Sequence, residues 1–294
     1  MATQEKRIVK RRKWRTGKYN PYKTKRVWAT AADGKKIPIT LFYKKWGTIN
    51  KKEPQKNKLL LTSYGSYGAG QGVSFNTSIY PLIQRGFIYA VAHIRGGNDM
   101  GKQWHLDGKM LNKKNTFTDF ISCAEYLIEQ EYATKGNITI QGGSAGGLLM
   151  GAVANMRPEL FKAVILDVPF VDVVNTMLDD KLPLTTGEYE EWGNPNIKKY
   201  YNYIKSYSPY ENVKTQNYPP MFFFTGLNDS RVGYWEPAKM VAKLRQFKTD
   251  NNILLLKTAI NSGHGGGSGR YSYYKDLAMK YALIFDLYKN TKVH

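Results

Sequence analysis

Short apolar runs alternate with stretches of helical periodicity through most of the 294-residue chain. LLLTSY is followed by the helical pattern SIYPLIQRG, FIYAVAH by TDFISCAEYLIEQEY, and NITIQGG by AGGLLMGAVANM, before a further run, AVILDV. The pattern resumes with PMFFFTG, EPAKMVAKLRQF, NILLLKT and a closing helix expected from about Tyr271 to Tyr288. Such alternation predicts βαβ units and an α/β fold with a mostly parallel central sheet flanked by helices. Ahead of it, RVWATAA and IPITLFYKK flank the turn Asp33-Gly34 and predict an N-terminal antiparallel hairpin at the sheet edge. Between Pro169 and Pro219 lies a polar, aromatic-rich insert with short helical stretches and no clear strand; loops this long inside a domain are usually functional.

The length suits one large domain, expected over residues 26–294. Residues 1–25 are dense in Lys and Arg and poor in aliphatics, and are expected to form a basic arm or linker remnant. The net charge of +21 raises nucleic-acid binding as a rival function. Outside the arm the excess is mostly single lysines beside Asn and Tyr, which reads as a solvated surface and argues against a nucleic-acid partner. No run approaches the about twenty apolar residues that cross a bilayer, so no membrane partner is expected. The single cysteine, Cys123, excludes an intramolecular disulfide and reads as a small buried residue, consistent with a cytoplasmic address.

The strongest local signal is Gly142-Gly143-Ser144-Ala145-Gly146-Gly147, set between the strand NITIQ and a helix. Gly-x-Ser-x-Gly in strand-turn-helix context predicts a nucleophile elbow, and with it an α/β-hydrolase fold. The glycines allow the sharp turn, Gly146 is expected to let the helix pack close to the strand, and the helix start aims N–H groups at developing negative charge. A serine needs a base and a carboxylate to orient it, downstream in the order Ser, Asp, His. Asp229 follows the strand MFFFTG, and His264 follows NILLLKT in a Gly-rich loop, both beyond late strand ends where open parallel sheets build their sites. His93 and His105 precede the serine, His294 is the last residue, and Asp167 ends the strand just after the nucleophile helix. The predicted roles are Ser144 as nucleophile, His264 as general base and then acid, and Asp229 as the carboxylate that holds the imidazole. No metal or cofactor site is indicated: histidines are few and no nucleotide fingerprint is present.

GGSAGG, LNDSRVGYWEPAK, SGHGGGSGRY and TTGEYEEWGNPN together resemble the prolyl oligopeptidase family, and within it the oligopeptidase B branch, from about Tyr19 to the C-terminus. The resemblance implies a serine endopeptidase that cleaves short peptides after Arg or Lys through an acyl-enzyme. It implies that Tyr64, with the backbone N–H of Ala145, forms the oxyanion hole, and that Arg231 binds a backbone carbonyl of the peptide. It assigns Glu188 and Glu190 to the pocket for a basic side chain, with Phe170 as an aromatic wall on which a guanidinium could stack. Two departures stand out. Gly72 and Ser74 occupy positions where many bacterial members carry an acidic pair for the neighbouring subsite. The β-propeller that precedes the hydrolase domain in the family is expected to be absent. The expected partners are therefore a peptide substrate and either a separately encoded propeller or a second copy of the chain. An esterase or aminopeptidase on the same fold, a poorly active truncated subunit and a noncatalytic basic binding protein are the alternatives, since a triad alone does not choose the leaving group.

Overall fold

The computed structural model describes residues 21–72, 76–267 and 270–289. Eight strands form one sheet: β1 (Tyr22–Thr30), β2 (Lys36–Lys44), β3 (Lys58–Thr62), β4 (Phe87–Ala92), β5 (Ile138–Gly143), β6 (Phe161–Asp167), β7 (Met221–Gly226) and β8 (Leu254–Ala259). Their spatial order is β1-β2-β4-β3-β5-β6-β7-β8. β1 pairs antiparallel with β2, and β2 antiparallel with β4; from β4 to β8 every neighbouring pair is parallel. The expected α/β-hydrolase architecture with its N-terminal hairpin is the one observed. Most of the basic arm lies outside the described residues, but β1 already begins at Tyr22, ahead of the expected start at Arg26.

The hairpin follows from its turn. Gly34 sits at φ 83°, a conformation that costs glycine little, and Asp33 Oδ1 accepts the Lys35 N–H at 3.2 Å. In the resulting register Val27 faces Ile39 and Ala29 faces Ile37, all four buried, while Lys25 and Arg26 remain in solvent.

Period-two geometry divides the central strands between two cores. Leu59 and Leu61 of β3, Val164 and Leu166 of β6, and Met221 and Phe223 of β7 join the larger cluster on one face. Leu60, Ile165, Phe222 and Phe224, their neighbours in sequence, point into a smaller cluster on the other face with Tyr281, Ile284 and Tyr288 of the helix Arg270–Lys289. On the larger side the helix Lys114–Glu129 buries Phe117, Phe120, Ile121, Ala124 and Leu127, the i, i+3, i+4 stripe of an amphipathic helix. Cys123 is buried among them as a free thiol, and burial raises its pKa. Among the described residues no helix is long and apolar enough to cross a membrane.

Strand order places the site. The connection after β3 leads outward to β4, and the next crossover returns to β5 on the opposite side of β3. The carboxyl ends of β3 and β5 therefore flank a topological switch point, where open α/β sheets leave a crevice. The insert between Pro169 and Pro219 arches over this end as the helices Val173–Leu178, Tyr189–Trp192 and Lys198–Lys205, without a strand of the sheet.

Candidate active site

Ser144 stands at the end of β5 with φ 56° and ψ −121°, immediately before the helix Ala145–Met156. A non-glycine residue held there costs on the order of 1–3 kcal/mol, so the surroundings must hold it. They do. The Ser144 N–H donates to the Asp167 carbonyl at 2.8 Å, and the Ser144 carbonyl accepts from Gly147, Leu148 and Phe170 at 2.8, 3.1 and 3.1 Å. The flanking glycines make the turn sterically feasible: a Cβ on Gly142 would lie 2.3 Å from the Gly146 carbonyl oxygen, and one on Gly147 would lie 2.4 Å from Cβ of Pro169. Gly146, expected to be the close-packing position, is less tight, with its nearest contact to a built Cβ at 3.0 Å.

Asp229 and His264 meet beyond β7 and β8. Nδ1 of His264 lies 3.0 and 2.8 Å from Oδ1 and Oδ2 of Asp229. Oδ1 also accepts the Arg231 and Val232 N–H groups at 2.9 and 3.0 Å, which fixes the carboxylate in place. Burial works to raise the Asp229 pKa. The hydrogen bonds from His264 and from the two amides outweigh it and hold the pKa below the usual carboxylate value. With Nδ1–H donating to an ionised carboxylate, Nε2 is left with its lone pair. A two-stranded ribbon, β9 (Ser262–Gly263) and β10 (Gly266–Gly267), carries His264 at its tip.

Ser144 and Asp229 line one cavity of about 530 Å³, together with Tyr64, Ala145, Glu188 and Arg231. Its size suits an amino-acid side chain and the adjoining backbone. His264 lines a second cavity, of about 300 Å³. Asp229 lines the first cavity and bonds His264, and among the described residues Ser144 and His264 are not hydrogen-bonded to each other. In uncomplexed enzymes such contacts commonly close only around substrate.

Tyr64, just past β3, faces the serine. Burial raises its pKa, as do the charges of Glu188 and Glu191, against a hydrogen bond with Ser144 and the charge of Arg231. Its hydroxyl therefore stays protonated as a donor. Ala145 opens its helix, so its N–H has no carbonyl one turn back to bond and is available to the cavity.

Glu188 lines the same cavity. Its Oε2 accepts the Tyr67 hydroxyl at 2.7 Å and the Trp192 indole N–H at 2.9 Å, and its Oε1 has no hydrogen-bond partner among the described residues. Phe170 forms part of the cavity wall, packed against Trp192 with ring centroids 5.4 Å apart. Glu190 is placed differently from the other expected pocket residues: it is exposed and absent from the cavity lining. Helical phase explains the difference, because Glu188, Glu191 and Trp192 at i, i+3 and i+4 share the inward face of Tyr189–Trp192 and Glu190 points away.

Glu191, unremarked in the sequence, is buried. It accepts the Tyr67 N–H at 2.8 Å with Oε1, and its Oε2 lies 2.7 Å from Nε2 of His105. Lys113 is also buried, and burial lowers its pKa to about 7 against the opposing pull of Glu191. The other residues set aside as triad members have structural partners. Nδ1 of His93 bonds Asp99 at 2.7 Å and its Nε2 bonds Thr40 at 2.8 Å, while Asp167 pairs with Lys280 and accepts from Gln141. Ser74, one of the two departures from the family's acidic pair, lies outside the described residues, and Gly72 has open space around it.

The sequence profile described as the Prolyl oligopeptidase family matches residues 73–291. The chain belongs to the prolyl oligopeptidase family. Within that family it is 53% identical over 266 residues to "Dipeptidyl aminopeptidase BI" of Pseudoxanthomonas mexicana, covering 90% of this chain and 36% of the relative. It is 50% identical over 273 residues to "Protease 2" of Moraxella lacunata, covering 92% of this chain and 39% of that one. Among solved structures, oligopeptidase B of Trypanosoma brucei, in a closed form with covalently bound antipain, superposes with a TM-score of 0.89 at 48% identity. That alignment covers 93% of this chain and 38% of the other. The chain therefore spans less than two fifths of the length of these prolyl oligopeptidase relatives.

Proposed function

We propose that this chain carries the catalytic centre of a serine peptidase that cleaves short peptides after Arg or Lys. In this reading Ser144 attacks the scissile carbonyl and passes its proton to Nε2 of His264, whose imidazolium is stabilised by Asp229. The Tyr64 hydroxyl and the Ala145 N–H hold the oxyanion. Collapse returns the proton from His264 to the leaving amine and leaves an acyl ester on Ser144; water, deprotonated by the same imidazole, then releases the acid. Arg231 holds a substrate carbonyl at the cavity mouth.

The observation that carries the reading is the Asp229–His264 pair, whose carboxylate shares a cavity with a serine held in a strained elbow. Selectivity for a basic residue rests on Glu188, which lines the cavity with an Oε1 that has no hydrogen-bond partner among the described residues, and on Phe170 as its aromatic wall. A guanidinium there would gain a charge-assisted hydrogen bond and a ring face together. The deciding assay compares kcat/KM on Arg-, Lys- and Ala-amide peptides. Preference for Arg and Lys supports the pocket, and indifference to that position rejects it.

A second reading comes from the relative named as a dipeptidyl aminopeptidase. The same triad would then act on substrates with a free amino terminus, and acetylation of that terminus separates the two: an endopeptidase retains turnover and an aminopeptidase loses it. Partners beyond peptide belong to the proposal as well, namely a β-propeller segment or a second copy of the chain over the cavity mouth. A cytoplasmic address is part of the same reading, supported by a sole cysteine that is buried as a thiol and requires no oxidising compartment.

A further inference from the structure

The turn after β3, Tyr64 to Gly68, carries two tyrosines of the site, and one of them, Tyr67, holds a left-handed conformation that glycine adopts readily and tyrosine does not. Gly65, Tyr67 and Gly68 all have positive φ, at 70°, 59° and 63°. A Cβ at Gly65 would meet Thr116 Cγ2 at 2.5 Å. Within the turn the main chain offers little restraint: Gly68 N–H bonds the Gly96 carbonyl at 2.9 Å, and Ala69 N–H bonds the Ser66 carbonyl at 3.0 Å.

Two buried polar side chains, Lys113 and Glu191, supply what the backbone does not. Nζ of Lys113 donates to the Gly65 carbonyl at 2.6 Å and to Ser66 Oγ at 2.7 Å, and lies 4.9 Å from the centre of the Trp192 ring. From the opposite side Glu191 accepts the Tyr67 N–H. Lys113 is 1% exposed and Glu191 6%. Taking an ammonium and a carboxylate out of water costs several kcal/mol per ion, and an apolar pair of similar volume would usually pack as stably. Their bonds converge on one turn, which presents Tyr64 to Ser144 and Tyr67 to Glu188.

We infer that Lys113 is a positioning residue for Tyr64, fixing through the Gly65 carbonyl and Ser66 hydroxyl the direction from which that tyrosine donates to the oxyanion. The inference rests on the peptidase reading above. Lys113 touches neither substrate nor Ser144; it acts through the turn.

The test is a double-mutant cycle in the full chain, with kcat and KM measured on an Arg-amide peptide. Lys113→Met is expected to lower kcat about 10- to 100-fold, the scale on which a misplaced catalytic group costs rate, with KM changed less than about threefold. In a Tyr64→Phe background the same substitution is expected to change kcat by less than about threefold, because the donor it positions is already gone. Lys113→Gln, which keeps an N–H donor on a side chain one atom shorter, should recover part of the rate. Ser66→Ala removes one anchor, keeps Nζ of Lys113 bonded to Gly65, and covers the case in which Lys113→Met does not fold. It should show a smaller kcat loss that also vanishes with Tyr64→Phe. Losses that multiply with that of Tyr64→Phe, or an unchanged kcat in Lys113→Met, overturn the role. A wild-type chain without Ser144-dependent turnover instead overturns the peptidase reading on which it rests.

Discussion

Nδ1 of His264 approaches Oδ2 of Asp229 to 2.8 Å, while two backbone N–H groups from the loop after β7 hold the other carboxylate oxygen. The carboxylate therefore fixes one imidazole tautomer and leaves Nε2 to accept a proton. Asp229→Asn should preserve the fold and lower kcat by about 10⁴, because an amide can donate to Nδ1 and reverse the tautomer. Steady-state kinetics with a circular-dichroism control checks this, and a loss below tenfold would detach Asp229 from the mechanism.

The same pair sets an acid limit. The folded-state pKa of Asp229 is depressed, so its contribution to stability is present above the ordinary carboxylate value and is lost as pH falls through the folded value. Between pH 8 and pH 5 the carboxylate should therefore stay ionised. Urea unfolding of the wild type and Asp229→Asn across falling pH measures this contribution: the stability difference should shrink once the pH drops below the usual carboxylate range, and a difference that persists undiminished there would contradict it.

Glu188 and Glu190 lie two residues apart in the acidic segment, and only Glu188 lines the cavity. Glu188→Gln should cost about 10- to 100-fold in kcat/KM for Arg and Lys substrates, the worth of one hydrogen bond to a charged group, with little effect on Ala-amide. Glu190→Gln should stay within about twofold on all three. Equal effects of the two substitutions on Arg-amide would remove Glu188 from the pocket.

Glu236 lies beneath the cavity wall, fully buried, with Oε2 accepting the Val171 and Asp172 N–H groups and Oε1 accepting the Thr176 hydroxyl. Burial raises its pKa to about 7 despite those donors. A carboxyl raised in the folded state favours folding most below its ordinary pKa, and that advantage is lost as pH rises through about 7. Glu236→Gln keeps the shape without the charge, so it should be the more stable form at pH 8, by on the order of 1–3 kcal/mol, with the difference shrinking toward pH 4.5. Urea unfolding of both proteins across that range measures it; a wild type that gains stability relative to the variant as pH rises contradicts the assignment.

The parallel strands, the elbow at Ser144 and the loops bearing Asp229 and His264 were readable because each rests on local spacing: apolar runs of strand length, glycines around a serine, and polar residues just past strand ends. Glu191 and Lys113 were not readable for the opposite reason. Lys113 sits in the run Lys113-Lys114-Asn115, which by composition is solvent-facing, and only packing against Trp192 and the Gly65 carbonyl buries it. Within Glu188-Tyr189-Glu190-Glu191 the choice of inward carboxylates depends on where a four-residue helix begins, which sequence fixes no better than by a residue or two. The strand β1 likewise extends back to Tyr22 through lysines and a threonine, where the sequence shows no apolar alternation.

The central claim is that Ser144 is an activated nucleophile served by His264, and intact-mass measurement of labelling by a fluorophosphonate tests it directly. The wild-type chain should gain one adduct, mapped to Ser144; Ser144→Ala should gain none; and His264→Ala should label at least about 10³-fold more slowly, since an unassisted serine is a weak nucleophile. Equal labelling of wild type and Ser144→Ala, or an adduct on another residue, would contradict the account.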